Sequence, residues 1–244
     1  MSSCTLTWLG HSSVVIDVGG TRVITDPLLR RRIFHLRRFA AAPQNIARID
    51  AVLVSHVHWD HLDFRSLDRL GLHVPVIVPR GAGQLFARRG FHRVTELLPG
   101  EATTVGRVNV RATYAEHDTS GWPRRADAPA LGYVIAGSAQ IYFAGDTDLF
   151  EGMSALGPDL DVALLPISGW GPTLPPGHLD PKGAARALQL LRPKHAVPIH
   201  WGTYSPLFRK RPASDPAGEF RSYAAELAPN VDVRVLSPGE SATF

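Results

Sequence analysis

The chain has 244 residues, 44% of them hydrophobic, and a formal net charge of +4 at pH 7. This composition predicts an ordinary globular protein with a full core, and so small a charge excess does not argue for nucleic-acid binding. The single cysteine, Cys4, cannot form an intramolecular disulfide, which fits a reducing compartment. The first residues contain no apolar signal core, and no apolar run approaches the roughly 20 residues that span a bilayer. We therefore expect a cytoplasmic protein without a transmembrane segment.

Three strands are predicted at the start of the chain, where apolar residues alternate or run together over residues 4–9, 13–18 and 21–26. The third strand ends at Asp26, and the proline that follows ends the pairing. Asp26 is interpreted either as a carboxylate at a strand end that faces a site or as a turn residue before proline. His11 follows the first strand, and its position favours a buried histidine with satisfied hydrogen bonds over a residue near a site.

The most cationic segment covers residues 28–39, where arginines are interleaved with isoleucine, leucine and phenylalanine. Its arginines are Arg30, Arg31, Arg32, Arg37 and Arg38. We interpret the segment as a solvated loop whose apolar residues pack onto the body of the protein. The alternative is that this basic amphipathic stretch lies on an anionic membrane surface or binds phosphates.

The apolar run 51–54 predicts a buried strand that leads directly into a metal-binding motif. The motif places three imidazoles and a carboxylate within six positions, at His56, His58, Asp60 and His61. Neutral imidazole and ionised carboxylate bind Zn²⁺-like ions, and a strand that ends in this pattern is more specific than a histidine-rich surface loop. His56 and His58 can point the same way at a strand end, whereas Asp60 and His61 follow a turn. The spacing therefore predicts two metal ions, one for each pair.

The remaining elements are predicted from apolar periodicity and from turn residues. The predicted strands cover residues 74–78, 94–98, 107–114, 131–136, 140–144, 162–165, 196–199, 231–236 and 242–244. The predicted helices cover residues 64–70, 81–89, 182–191 and 215–227. Asp180-Pro181 and Asp215-Pro216 are expected to begin the last two helices, because aspartate caps a helix N-terminus and proline suits its first position.

Three further candidate ligands follow predicted strands. Asp146 lies just beyond one of them, and Gly145 before it allows the backbone to come close. A carboxylate at a rigid strand end offers two oxygens, which a bridge between two ions requires. His200 directly follows another strand, as the histidines of the motif do. His117 also lies just past a strand end, but its position alone does not decide whether it is a ligand.

Two polar loops carry further candidates. His178 ends a Gly/Pro-rich loop over 168–177, where substrate-facing groups concentrate, but a loop histidine that helps to cap the turn has the same pattern. The other loop contains Trp122, Arg124 and Arg125. These side chains are suited to bind a phosphate or an apolar tail, and surface packing of Trp122 fits the pattern equally well.

The motif that follows the strand 51–54 resembles the signature of the metallo-β-lactamase fold hydrolases. Four other segments are similar to the branch that contains N-acyl-phosphatidylethanolamine phospholipase D and the ascorbate-6-phosphate lactonases. They are Trp8-Leu9-Gly10-His11, Thr25-Asp26-Pro27, Phe143-Ala144-Gly145-Asp146-Thr147 and Ile199-His200-Trp201-Gly202-Thr203. The resemblance runs from about Thr7 to Gly239. It implies a single α/β domain over residues 1–244, a four-layer αβ/βα sandwich of two mixed sheets packed face to face with helices outside.

The resemblance also implies roles for the candidate residues. It gives the first ion the ligands His56, His58 and His117, the second ion the ligands Asp60, His61 and His200, and the bridge to Asp146. It makes Asp26 a carboxylate that orients a metal-bound imidazole, and His178 an active-site histidine that is not a ligand. Asp60 and His178 are then the catalytic candidates. In the relatives the segment that matches 28–39 lies near the mouth of the site, which implies a substrate-contacting lid.

A metal-dependent hydrolase is the function that these residues favour. Zn²⁺ suits the ligand set, with Mn²⁺ or Fe²⁺ as alternatives. Two divalent ions, two carboxylates and a hydroxide leave the centre positively charged, which favours an anionic substrate. We therefore predict a binuclear enzyme that uses a metal-bridged hydroxide to cleave a phosphodiester bond, as a phospholipase D-like relative would.

Other functions and partners stay open at this point. The main alternative is a lactonase that acts on a sugar-phosphate lactone, and a nuclease or a non-catalytic metal-binding protein is less favoured. The expected partner is a small anionic or lipid substrate and not a nucleic acid. Peripheral membrane contact through residues 28–39 and assembly into a homo-oligomer are both compatible with the sequence.

Overall fold

The computed structural model describes residues 3–41, 43, 46–120, 126–156, 159–169, 173–207 and 215–244. Its strands are β1 (Cys4–Gly10), β2 (Ser13–Val18), β3 (Thr21–Thr25), β4 (Arg32–Ile33), β5 (Leu36–Arg38), β6 (Ala51–Leu53), β7 (Val76–Pro79), β8 (Val94–Leu97), β9 (Ala102–Val105), β10 (Val108–Tyr114), β11 (Leu131–Ala136), β12 (Gln140–Phe143), β13 (Val162–Pro166), β14 (His195–Ile199), β15 (Tyr204–Pro206), β16 (Asp232–Val233) and β17 (Ser241–Thr243). Its helices are α1 (Phe64–Asp68), α2 (Gly83–Ala87), α3 (Pro181–Leu191) and α4 (Pro216–Leu227), and a 3₁₀ turn covers Glu151–Ala155.

Two mixed sheets of seven strands each form the framework. The first sheet has the order β17-β1-β2-β3-β6-β7-β8, and the second has the order β16-β14-β13-β12-β11-β10-β9. In each sheet an antiparallel meander continues into parallel strands, at β3–β6 in the first and at β12–β13 in the second. Since the parallel strands run the same way, the loops that follow them open at one edge of each sheet.

Three buried clusters show how the layers stack. The cluster between the sheets contains Trp8 from the first sheet and Tyr133 and Phe143 from the second. The outer face of the second sheet packs against α3 and α4 through residues such as Leu188 and Phe220, and the outer face of the first sheet packs against α1 and α2. The order helix, sheet, sheet, helix confirms the predicted four-layer αβ/βα sandwich.

The two long helices begin where aspartate and proline predict. The side chain of Asp180 accepts a hydrogen bond from the backbone N–H of Gly183, and the side chain of Asp215 accepts one from Gly218. Proline follows each cap at the first helical position, where a missing N–H has no consequence. Within the described residues no helix is both long and apolar enough to cross a bilayer.

Some predicted elements are shorter than the pattern indicates, and four strands, β4, β5, β9 and β15, were missed. The strand predicted over 231–236 pairs only at Asp232–Val233, because the next donor position on that side of β14 is Pro198, which has no N–H. The strand β9 escaped prediction because its side chains are exposed or half-buried and lack a clear apolar face.

The cationic segment 28–39 forms a hairpin instead of the predicted loop. Its strands β4 and β5 pair with each other, and β5 also pairs with β15, which follows His200 in the chain. Ile33 and Leu36 are buried with Tyr204 and contact Trp59 of the metal motif, so these two pack onto the body of the protein as expected. The two phenylalanines of the segment, Phe34 and Phe39, are exposed. The hairpin therefore spans from the loop of the metal motif to the segment after His200.

Candidate metal centre

The candidate site residues, which are the predicted ligands and Asp26, meet at the edge where the parallel strands end. Asp26 follows β3 and His56 follows β6 in the first sheet, whereas Asp146 follows β12 and His200 follows β14 in the second. His117 lies after β10, which runs in the same direction as β12 because both are antiparallel to β11. Ligand sites in open α/β sheets lie outside the carboxyl ends of the strands, and this edge has that position.

One half of the centre consists of three imidazoles. His58 Nδ1 lies 3.0 Å from His56 Nε2 and 3.1 Å from His117 Nε2. His117 donates through Nδ1 to the carbonyl of Gly177 at 2.8 Å, so its Nε2 carries a lone pair. His56 Nδ1 lies 2.9 Å from Ser55 Oγ, whose own proton goes to a carboxylate of Asp26, so His56 Nε2 carries a lone pair as well. Two acceptor nitrogens therefore converge on His58.

In the other half of the centre, the Nε2 lone pairs of His61 and His200 face each other. His61 donates through Nδ1 to Asp26 Oδ2 at 2.8 Å, and His200 donates through Nδ1 to the carbonyl of Ser168 at 2.7 Å. Their Nε2 atoms are 3.2 Å apart. Two neutral imidazoles in these tautomers would repel at that distance, so the arrangement calls for a positive charge between them.

Asp146 lies between the two halves. Its Oδ2 atom is 3.1 Å from His61 Nε2 and 3.3 Å from His200 Nε2, while its buried Oδ1 atom has no hydrogen-bond partner among the described residues. Gly145 holds the strand end close to β11, since a Cβ atom there would lie 2.8 Å from the carbonyl oxygen of Leu131. Asp146 thus has the free oxygen that a bridging carboxylate needs.

Asp60 contacts His11, which we expected to be a buried histidine away from the site. Its Oδ2 atom lies 3.1 Å from His11 Nε2, 3.7 Å from His61 Nε2 and 3.8 Å from His200 Nε2. His11 is buried, as expected, but its partner is a member of the centre, so the preference for a histidine away from the site was wrong. The sequence signals available for a place at the site were Gly10, directly before His11, and Trp8, three residues earlier.

Three side chains at this edge extend from strained backbone. The φ angles of His11, Asp26 and His200 are 54°, 32° and 62°, in the left-handed region that non-glycine residues rarely adopt. Such strain persists only where the surroundings hold it, and it concentrates at functional sites. At His200 the backbone N–H donates to the carbonyl of His11 at 3.0 Å, which ties two of these residues together.

His178 is the tenth side chain at the site. Its Nε2 atom lies 3.3 Å from Asp146 Oδ2, and its Nδ1 atom donates to the carbonyl of Pro175 at 3.0 Å. Burial would lower the pKa of His178, but Asp146 raises it above its ordinary value. His178 is therefore placed to hold a proton beside the centre. The predicted loop candidates Trp122, Arg124 and Arg125 lie outside the described residues.

The pKa values of the histidines differ between the two halves of the centre. Burial lowers the pKa of His58 to about 4, and the neighbouring His117 adds to the effect. Burial would also lower the pKa of His200, but the Asp146 carboxylate and the hydrogen bonds to Asp146 and Asp60 raise it to about 9. The pKa of Asp146 lies well below its usual range, because the attraction of His200 and His61 outweighs burial. Positive charge is thus favoured beside both carboxylates.

The donor atoms fit divalent cations. Donors bound to one tetrahedral Zn²⁺ at about 2.0–2.1 Å lie roughly 3.3 Å from one another, close to the spacings in both halves. The residues that would hold one ion are His56, His58 and His117. Those that would hold the other are Asp60, His61 and His200, with Asp146 between the two. All seven predicted ligands therefore lie at one site, and the chemistry of their donors matches Zn²⁺ or a similar ion.

A cavity opens beside His178. It has a volume of about 430 Å³, and its charged lining residues are Asp148, Asp180, Lys182 and Arg186. The larger cavity of about 720 Å³, lined in part by Arg48, His73 and His92, lies where β6, β7 and β8 begin and is therefore at the opposite end of the strands from the centre. Size alone does not identify the functional cavity here, because the chemistry lies at the other edge.

Comparison with known proteins gives consistent matches. The family model described as Beta-lactamase superfamily domain matches residues 21–201. A metal-dependent hydrolase from Opitutus terrae is 32% identical over 244 residues, covering 97% of this chain and 98% of that protein. One from Methanopyrus kandleri is 31% identical over 249 residues, with 97% and 98% covered. Among solved structures, Igni18, a metallo hydrolase from Ignicoccus hospitalis, has a TM-score of 0.75 and 26% identity, covering 99% of this chain and 98% of its own.

Proposed function

Because the chain belongs to the beta-lactamase superfamily and is similar over nearly its whole length to metal-dependent hydrolases, we propose that it is a binuclear metal-dependent hydrolase that cleaves a phosphodiester bond. The observation that supports this most directly is the convergence of seven donor side chains, with acceptor nitrogens facing one another at 3.0–3.2 Å. Such a set is stable only around positive charge. A pair of divalent cations, when bound, supplies an activated water and stabilises charge that develops on the substrate.

The protein groups outside the ligand set, both side chains and backbone carbonyls, have distinct roles. Asp26 and the carbonyls of Ser168 and Gly177 fix which imidazole nitrogen faces the centre, so the lone pairs are presented without rearrangement. His178 holds a proton 3.3 Å from Asp146 and faces the adjoining cavity. It is placed to steady an anionic group of the substrate or to protonate a leaving oxygen.

The adjoining cavity offers two cations to an anionic substrate, beside the carboxylates of Asp148 and Asp180, which also line it. Lys182 and Arg186 line it together with His178. Neither of these cations forms an ion pair with a carboxylate among the described residues, so both are available to a phosphate oxygen. Zn²⁺ is the proposed metal, with Mn²⁺ or Fe²⁺ as the alternatives that the same donors would accept.

A lactonase that acts on a sugar-phosphate lactone is the second candidate. The cavity beside His178 is small, at about 430 Å³, and four charged side chains line it. These features suit a compact polar substrate as well as a phosphodiester. The chemistry would be related, since attack at a carbonyl carbon also develops an oxyanion that the centre can stabilise.

A screen with metal-reconstituted protein tests the proposal. Zn²⁺-, Mn²⁺- and Fe²⁺-loaded samples would be assayed against bis-p-nitrophenyl phosphate, a sugar-phosphate lactone and an N-acylated phospholipid. We expect turnover of the phosphodiester that requires the metal and that a chelator abolishes. Turnover of the lactone alone would replace the first candidate by the second, and a lack of any turnover with two ions bound would contradict both.

A further inference from the structure

We propose that the hairpin β4–β5 carries a second ligand site, separate from the metal centre, which binds a phosphate group. A cavity of about 410 Å³ lies on this hairpin, and four arginines line it together with Phe39 and the following alanines. The four are Arg31, Arg32, Arg37 and Arg38, all within eight residues of sequence. The proposal does not rest on the proposed hydrolysis, because none of these residues belongs to the set of proposed metal ligands.

The four arginines have no acidic partners within the described part of the chain. Arg30, their neighbour, pairs with Asp63 at 2.9 Å, but none of the four forms an ion pair with a carboxylate among the described residues. The residues outside the described ranges contain no aspartate or glutamate in the sequence, so they cannot supply one. The positive charge of the cavity is therefore uncompensated by the chain itself.

The pairing within the hairpin places like charges opposite each other. In the antiparallel register Arg32 faces Arg37, while the next pair, Ile33 and Leu36, is buried. Like charges directly opposite in a sheet are destabilising, and nothing about the hairpin fold requires them. An anion that binds between the two guanidinium groups would convert this repulsion into attraction.

Arg38 gives the cavity a fixed charge at its base. It is 6% exposed, and its guanidinium donates to the carbonyls of Leu28 at 3.1 Å, Ala41 at 3.3 Å and Leu9, and to the hydroxyl of Tyr204 at 3.4 Å. All these partners are neutral. A buried cation with only neutral partners is costly unless an anion lies nearby. The network also holds the group rigidly and uses most of its N–H donors, so Arg38 contributes a fixed charge and leaves hydrogen bonding of the ligand to the neighbouring arginines.

A phosphate group fits this set better than a carboxylate. Several guanidinium groups around one cavity match an anion with more than one charge and three free oxygens, which arginine binds through paired hydrogen bonds. The wall is partly aromatic, since the guanidinium of Arg37 lies 5.0 Å from the ring of Phe39. Phe34 at the tip of the hairpin is 67% exposed, so either a soluble phosphate ester or a phospholipid headgroup could approach.

Calorimetric titration of the metal-loaded protein with inorganic phosphate tests the site. Since phosphate can also occupy the metal centre, the comparison is between the wild type and the double variant Arg32→Gln/Arg37→Gln, with Arg221→Gln as control. Arg32, Arg37 and Arg221 are all exposed, so the substitutions leave the core intact. We expect two classes of site in the wild type and the control, and the loss or an about tenfold weakening of one class in the double variant. An unchanged isotherm for the double variant would overturn the proposal.

Vesicle sedimentation then identifies the source of the phosphate. Phosphatidylcholine vesicles with and without phosphatidic acid, a lipid phosphomonoester, would be mixed with the same three proteins. Binding that requires phosphatidic acid and is lost in the double variant assigns the site to a lipid headgroup; phosphate binding without vesicle binding assigns it to a soluble ester. A thermal melt gives an independent check, because the double variant should melt at the same or a higher temperature in low salt without phosphate. A lower melting temperature there would show that the arginines stabilise the hairpin, which contradicts an uncompensated charge cluster.

Discussion

His11 contacts Asp60 through its imidazole and His200 through its backbone, and both residues are proposed ligands in the second half of the centre. The imidazole of His11 lies 3.1 Å from Asp60 Oδ2, and the carbonyl of His11 accepts the backbone N–H of His200 at 3.0 Å. The backbone N–H of His11 in turn donates to Thr203 Oγ1 at 2.7 Å. One residue from the first sheet therefore positions two proposed ligands, one of them from the second sheet.

Substitution of His11 by alanine should loosen the second metal. Loss of a side chain that holds a ligand typically weakens metal affinity about 10–100-fold, so we expect one ion to be held more weakly while the other stays bound. Metal content after graded dialysis, measured by atomic emission, would show this. The matched control is His92→Ala, since His92 is exposed and far from the site. Equal retention of both ions in the His11 variant would contradict a positioning role.

His58→Ala should remove metal and activity together. His58 Nδ1 is the atom on which His56 and His117 converge, so its loss leaves only two imidazoles in that half of the centre. We expect about one ion less per chain and phosphodiesterase activity close to background. Metal analysis and the assay with bis-p-nitrophenyl phosphate are read on the same sample. Full activity without loss of metal would exclude His58 as a ligand.

His178→Ala should keep both ions and lose turnover. The side chain contacts Asp146 through a proton-bearing nitrogen, and removal of a general acid typically lowers the rate about 10²–10⁴-fold. The loss should be largest for substrates with a poor leaving group and smaller for p-nitrophenyl esters, which need no protonation. If an ion is lost instead, His178 is a ligand and the proposed ligand set is incomplete.

Metal binding should strengthen as the pH rises from 6 to 9. Without a bound cation the Asp146 carboxylate raises the pKa of His200 from its ordinary value of 6.5 to about 9, so a proton competes with the metal below that pH. The raised pKa in the folded chain stabilises the metal-free protein fully below pH 6.5, and this contribution is lost as the pH rises through 9. The difference in melting temperature between Zn²⁺-loaded and metal-free protein should therefore widen over this range. A constant difference would show that no such proton is displaced.

The sequence predicted the centre well where a strand leads directly to a ligand. His56, Asp146 and His200 all follow apolar runs whose direction is set by parallel pairing, so their meeting follows from local pattern and topology. His11 was misplaced because its role depends on Asp60, 49 positions away, which no local pattern reveals. The hairpin β4–β5 was missed for the same reason, since β5 is held by β15, and the contact between Arg38 and Tyr204 spans 166 positions.

Asp26→Asn should disturb both halves of the centre without changing its shape. Asp26 accepts from His61 Nδ1 at 2.8 Å through Oδ2 and from the backbone N–H of Ser55 at 2.7 Å through Oδ1. An asparagine can offer only one oxygen, so its NH₂ group must face one of these two donors. If the amide oxygen continues to accept from the backbone N–H of Ser55, the NH₂ group faces His61, which can no longer donate through Nδ1. The tautomer of His61 then reverses, and its Nε2 atom presents a proton to the centre instead of a lone pair.

We therefore expect the Asp26 variant to bind both ions about 10–100-fold more weakly, because Ser55 Oγ also loses its acceptor at Asp26 Oδ2 and would donate its proton to His56 Nδ1 instead. Competitive titration against a chromogenic chelator measures both affinities in one experiment. Asp68→Asn is the matched control, because Asp68 is an exposed aspartate on α1. Equal affinities for the two variants would mean that the hydrogen bond from His61 to Asp26 does not determine which nitrogen faces the metal.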